Sequence, residues 1–140
     1  MTTNLFVYGS LMFPKILQAI TKEKASLKPA ILDGYKRIRA NDPVFKVYSA
    51  IIIKDTSSFV EGKLITEISM KTLRLLDKFE GSGYKRIKVK VRLGKENIEA
   101  YAYLASVGHT PSFRGEWDPK VFEKKQLEQY ITYYIESNQS

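Results

Sequence analysis

The spacing of apolar residues changes period several times along the chain, and each change marks an element. Asn4 to Tyr8 is a β-rich apolar run that stops at Gly9, and Phe13 to Ile20 then spaces its apolar residues as one short helix. A strand, a turn and a helix are predicted. Leu27 to Ile38, Val47 to Lys54 and Val60 to Ile65 read as further short strands, divided by segments rich in Asp, Asn, Pro, Ser and Gly. In Ser69 to Phe79 the residues Met70, Leu73, Leu76 and Phe79 recur at three-residue spacing with Leu75 alongside, which predicts a helix. Ser69 suits its N-cap, and Gly81 terminates it. From Tyr84 the period becomes two, with Ile87, Val89, Val91 and Leu93 on one face and Arg86, Lys88, Lys90 and Arg92 on the other, the pattern of a half-buried strand.

Gly94 to Asn97 reads as a four-residue hairpin loop. That register sets Leu93 opposite Ile98, Val91 opposite Ala100, Val89 opposite Ala102 and Arg92 opposite Glu99, so apolar and opposite-charge pairs agree. Ala105 to Glu116 follows as a loop. Asp118 and Pro119 suit a helix start, and Leu127, Tyr130, Ile131, Tyr134 and Ile135 form a core-facing stripe behind it. No repeat of fixed period and no low-complexity stretch is present. Short strands with few helices favour an α+β domain over a doubly wound sheet. The 140 residues, 44% hydrophobic, match one globular domain spanning the chain.

Composition narrows the chemistry. The chain has no cysteine, which excludes disulfides, a thiolate nucleophile and cysteine-ligated metal, and fits a reducing compartment. The N-terminus lacks a secretory pattern, and no apolar run approaches the roughly 20 residues that span a bilayer, so a cytoplasmic protein without membrane partners is expected. The formal net charge of +8 is read as a solvated surface, with an anionic partner as the alternative. His109, the only histidine, lies in a loop beside Thr110 and Pro111 and is assigned to the surface. No ligand cluster suggests a metal, and no cofactor is expected.

Two segments carry candidate chemistry. In Leu5-Phe6-Val7-Tyr8-Gly9-Ser10-Leu11 an apolar strand ends at glycine and a hydroxyl residue just before a helix. Such a turn exposes consecutive backbone N–H groups to an anion, and glycine admits a ligand close to the backbone. An ordinary strand-end turn would look the same. In Leu76-Asp77-Lys78-Phe79-Glu80-Gly81-Ser82-Gly83-Tyr84-Lys85-Arg86, Glu80 ends an apolar helix. A carboxylate near the negative helix pole and beside apolar groups is disfavoured as an anion, so its pKa rises toward the range useful for acid/base work. The alternative is a solvated helix-end glutamate.

Together, Phe6-Val7-Tyr8-Gly9-Ser10-Leu11 and Leu76-Asp77-x-Phe79-Glu80-Gly81-x-x-Tyr84-x-Arg86-x-x-Val89-x-Val91 resemble the gamma-glutamylcyclotransferase and AIG2-like family. Fainter echoes are Val60-Glu61-Gly62, Ala100 to Tyr103 and Trp117-Asp118. The resemblance implies an α+β fold built on a small mixed, mostly antiparallel β-barrel with flanking helices and a cavity at the barrel end. It implies conversion of a small γ-glutamyl amine or peptide to 5-oxoproline with release of an amine. In that scheme Glu80 is the general acid/base, the amides of Gly9, Ser10 and Leu11 hold the α-carboxylate, and Tyr8 lines the pocket. Tyr84, Arg86 and Tyr103 are further substrate-contact candidates. Arg86 shares a face with Lys88, Lys90 and Arg92, which favours its pairing with a protein carboxylate, and the hairpin register sets Tyr103 opposite Lys88. No residue is identified that fixes the leaving group, and the oligomeric state is left open.

Because the substrate's own amine attacks its γ-carbonyl, the reaction needs neither a protein nucleophile nor a metal. Two alternatives remain: a catalytically silent ligand-binding protein of the same fold, and a basic RNA-binding module. In the second, Lys88 and Lys90 would lie beside Tyr103 and Tyr101, rings on which bases could stack, although nucleic acid is the less favoured partner.

Overall fold

The computed structural model describes residues 2–22, 26–41, 48–80, 84–105 and 119–120. Five strands, β1 (Thr2–Val7), β2 (Leu27–Asn41), β3 (Tyr48–Ser69), β4 (Tyr84–Leu93) and β5 (Glu96–Ala105), follow one another around a closed sheet in the order β1-β3-β2-β4-β5. All neighbours run antiparallel except β1 and β5, whose parallel contact at Leu5 and Tyr101 closes the barrel. Two helices, α1 (Pro14–Thr21) and α2 (Met70–Glu80), lie against each other and flank the sheet. This is the expected α+β architecture. Among the described residues no helix is long and apolar enough to cross a membrane.

Leu5, Phe6, Val7 and Tyr8 are all buried. A strand covered on both faces reads as a continuous apolar run rather than an alternating one, which is the pattern of this segment. Val89 and Val91 of β4 and Ala100 and Ala102 of β5 join the same core, as the period of two predicts. In α2 the side chains of Leu73 and Leu76 are fully buried. Its start is capped as expected: Thr72 N–H donates to Ser69 Oγ at 3.1 Å, and the Ser69 hydroxyl donates to Thr72 Oγ1 at 2.9 Å.

The structure corrects the expectations at two places and gives the expected turn before α1 its form. The two strands predicted at Val47 to Lys54 and Val60 to Ile65 are one 22-residue strand, β3. The interruption between them is real, because β2 pairs Tyr35 with Lys54 and Asp33 with Phe59, leaving residues 55–58 without ladder partners in β2. The Asp55 carboxylate there accepts from the Ser57 N–H at 3.1 Å and from the Ser57 and Ser58 hydroxyls at 2.9 Å each, a local turn that competes with the ladder. Before α1, Ser10–Met12 forms a 3-10 turn.

The hairpin loop has two residues, Gly94 and Lys95, not four. Gly94 adopts φ +62°, the glycine-first geometry that lets a two-residue turn follow strand twist. The register therefore moves by two: Leu93 faces Glu96, Val91 faces Ile98, Val89 faces Ala100, Arg92 faces Asn97 and Lys90 faces Glu99. Arg92 pairs instead with Asp33 of β2. Pro119 and Lys120 are helical, as the helix start at Asp118 and Pro119 predicts. The stripe from Leu127 to Ile135 and the loop after Ala105 lie outside the described residues.

Candidate functional site

Where β1 ends, Tyr8 leads into Gly9 and the Ser10–Met12 turn. The turn is closed by Met12 N–H donating to the Gly9 carbonyl at 3.0 Å and Phe13 N–H donating to the Ser10 carbonyl at 3.2 Å. Carbonyls are consumed, while the N–H groups of Gly9 and Leu11 take no part in these bonds. The same turn forms one wall of a hollow of about 40 Å³ lined by residues 6–11, Ala50, Glu80, Tyr84 and Tyr103. Glu80 reaches it from the last residue of α2, and Tyr103 from β5.

Hydrogen bonds tie the walls together. The Tyr8 hydroxyl donates to the Tyr103 carbonyl at 2.6 Å, and the Tyr103 hydroxyl donates to Asp77 Oδ1 at 2.7 Å. Arg86 Nε lies 3.1 Å from that same Asp77 oxygen, and the Arg86 guanidinium stacks 4.5 Å over the Tyr101 ring. Burial, followed by the charges of Tyr84 and Glu80, holds the Tyr8 phenol well above its ordinary range. Burial is also the main cause for Tyr103, with the Asp77 hydrogen bond next. Both phenols are therefore neutral at physiological pH and act as donors, not bases.

Glu80 differs. Burial of its carboxyl group, assisted by the negative charge of Asp77, pushes it up to about 7, although part of the residue reaches solvent. It can thus exist in either protonation state near neutral pH, the condition for moving a proton in both directions. Asp77 and Glu80 are three residues apart on α2, hence on one helix face. That spacing was the sequence signal for Asp77 as the neighbour that raises Glu80.

Of the residues proposed from sequence, Tyr8, Gly9, Ser10, Leu11, Glu80, Tyr84 and Tyr103 line one hollow. Arg86 does not line it and sits behind, on Asp77, which is the protein-carboxylate reading. Tyr103 pairs with Arg86 across the hairpin, not with Lys88, and is buried rather than presented on a solvated face, because Asp77 of α2 covers its hydroxyl. Tyr101 is the ring beside Lys88. His109 is outside the described residues. Two participants escaped the sequence reading besides Asp77: Ala50, a wall residue from β3, and Arg37 of β2, whose Nη1 donates to the Tyr8 carbonyl at 3.0 Å. Among the described residues there is no group of three His, Cys, Asp or Glu placed to hold a metal.

The chain is similar to known proteins in sequence and in fold. The chain is 32% identical over 130 residues to Protein AIG2 C of Arabidopsis thaliana, covering 91% of this chain and 76% of that protein. It superposes on the solution structure of an Arabidopsis thaliana protein with a TM-score of 0.70 at 28% identity, covering 100% of this chain and 86% of that one. A solved structure named gamma-glutamyl cyclotransferase shares the fold with a TM-score of 0.69 at 22% identity, covering 82% of this chain and 70% of that one. The family model described as gamma-glutamyl cyclotransferase, AIG2-like matches residues 5–119, a span that runs from the β1 strand through Glu80 to the last helix start, and the chain belongs to that family.

Proposed function

We propose that the protein is a cyclotransferase acting on a small γ-glutamyl amine or peptide, with Glu80 as its general acid/base. The observation that carries this reading is that the Glu80 carboxyl and the Gly9 to Leu11 turn line the same hollow. The turn amides hold the substrate's α-carboxylate and so orient its ammonium toward Glu80. The Glu80 carboxylate takes one proton from the ammonium, and the amine nitrogen attacks the γ-carbonyl carbon to close a five-membered ring. Glu80 returns its proton to the amide nitrogen of the leaving group. As the tetrahedral centre collapses, the C–N bond breaks and the free amine departs. The surplus proton on the ring nitrogen passes through the regenerated carboxylate to that amine, leaving 5-oxoproline.

The protein supplies orientation and proton transfer only. Holding the two reacting groups of one molecule in contact lowers the barrier by orientation, and positioned proton transfer adds on the order of 100 to 10,000-fold. Neutral Tyr8 and Tyr103 keep the wall free of competing bases. Tyr84 lines the hollow beside Glu80 and contacts the γ-glutamyl chain.

The test is incubation with a panel of γ-glutamyl amines and peptides while 5-oxoproline is measured. Turnover of at least one member is expected. Silence across the panel at saturating concentrations would remove the enzyme and favour a ligand-binding protein of this fold. On an active substrate kcat/KM should fall on the acidic side with a midpoint near the value of about 7 held by Glu80, because its ionised form is the base. Asp77→Asn keeps an acceptor for Tyr103 but removes the negative neighbour. It should move that midpoint to lower pH, part of the way only, since burial is the larger cause. An unmoved or rising midpoint would separate Asp77 from Glu80.

A further inference from the structure

The turn is gripped from behind by a charged side chain that does not line the Glu80 hollow. Arg37 Nη1 donates to two backbone carbonyls at once, that of Tyr8 at 3.0 Å and that of Glu61 on β3 at 3.0 Å. Arg37 and Glu61 border a second, larger hollow of about 650 Å³ on another part of the surface. The Tyr8 carbonyl and the Gly9 N–H belong to a single planar peptide unit, in which the two groups point in opposite directions. Drawing the carbonyl toward Arg37 therefore turns the Gly9 N–H away from Arg37.

We propose that Arg37 is a positioning residue for the anion cradle: from outside the hollow it fixes the Tyr8–Gly9 peptide plane and thereby sets affinity for the carboxylate end of the ligand. The inference rests on the function proposed above. Two effects combine. A guanidinium on the carbonyl makes a charge-assisted bond, and polarisation through the peptide makes the N–H at the other end a stronger donor. Anchoring on Glu61 also ties the end of β1 to β3, so the turn is ordered before a ligand arrives and less freedom is lost on binding. Since Arg37 does not line the Glu80 hollow, its effect belongs in binding, not in the proton transfer made by Glu80.

The experiment uses the full chain as wild type, Arg37→Met, which keeps the apolar stem, and Arg37→Lys, which keeps the charge but not the planar fork. With an active panel substrate, Arg37→Met should raise KM roughly tenfold, the loss expected for one charge-assisted hydrogen bond, with kcat little changed. Arg37→Lys should recover part of the loss. A fall in kcat with KM unchanged would overturn the proposal.

A second readout does not need turnover. In the nitrogen-15 NMR spectrum the Gly9 amide proton should move upfield and exchange faster in Arg37→Met, with Arg37→Lys between, while the amides of the β4–β5 hairpin stay in place. An unmoved Gly9 amide in either folded variant would overturn the positioning role. If no substrate is turned over and the product 5-oxoproline does not perturb the wild-type Gly9 amide, the proposed function fails while the amide shift still decides the role of Arg37. Should Arg37→Met not fold, Arg37→Lys carries both readouts.

Discussion

Glu80→Gln should abolish turnover and, at the same time, make the protein more stable at pH 8. The catalytic half follows from the role proposed for Glu80 in accepting and returning protons, with an expected loss on the order of 100 to 10,000-fold in kcat/KM. The stability half follows from the raised pKa. In the unfolded chain Glu80 ionises near 4.5, and in the folded protein near 7. Between those values the folded state binds the extra proton, so stability is highest below 4.5 and is lost as pH rises through 7. A displacement of this size corresponds to about 3 kcal/mol once both states are ionised. Glutamine has the same shape and no charge to desolvate, so it escapes that cost. Urea unfolding at pH 8 should show the variant more stable by about 2 to 3 kcal/mol, and at pH 4 the two proteins should coincide. Equal stability at both pH values would mean that the carboxyl is not held in a desolvated place. Retained turnover would remove the mechanism. The opposed signs matter, because a residue that lowers stability where it stands is understood when the same environment equips it for chemistry.

The two ends of the hollow were visible in the sequence because each is a local signal. An apolar run broken by Gly9 and Ser10, and an acidic residue closing an amphipathic helix, are read within a dozen positions. Their meeting in one hollow is a matter of topology, which no window of residues contains. The hairpin shows a different blindness. Registers that differ by two residues leave every side chain on the same face, so the alternation of Val89 and Val91 fits either one. The charges did not discriminate, since basic residues occupy every second position of β4 and Glu99 meets one in both registers, Arg92 as predicted or Lys90 as found. Only the turn geometry at Gly94 decides. Arg86 and Tyr103 were placed on the polar face of the hairpin because they alternate with apolar residues, and the carboxylate that Arg86 pairs with was not identified. That face is partly covered by α2, and Asp77 meets both of them there. Arg37 gave no signal in the sequence, because the carbonyls it holds, on Tyr8 and Glu61, lie far along the chain and carry no side-chain signature.

Gly62→Ala should cost about 3 kcal/mol or more. A Cβ built on Gly62 collides with the Val7 carbonyl oxygen and falls 2.7 Å from Cζ of Phe6. The oxygen belongs to backbone and cannot rotate away, and the Phe6 ring is fully buried with its own neighbours to disturb. Relief requires the end of β1 to lift from β3, and that end leads directly into Tyr8, Gly9 and the Ser10–Met12 turn. The adjacent Glu61 carbonyl, one of the two held by Arg37, would shift with it. A fraction that still folds should therefore be impaired in turnover as well as in stability. Gly94→Ala is the contrast: nothing lies within 4 Å of its Cβ, and the expected cost is only the left-handed backbone at φ +62°, roughly 1 to 2 kcal/mol. Urea midpoints of the two variants, measured side by side, test the packing of β1 on β3. If Gly62→Ala were as mild as Gly94→Ala, the close approach that presents the turn to Glu80 would be wrong, and with it the geometry on which the proposed chemistry stands.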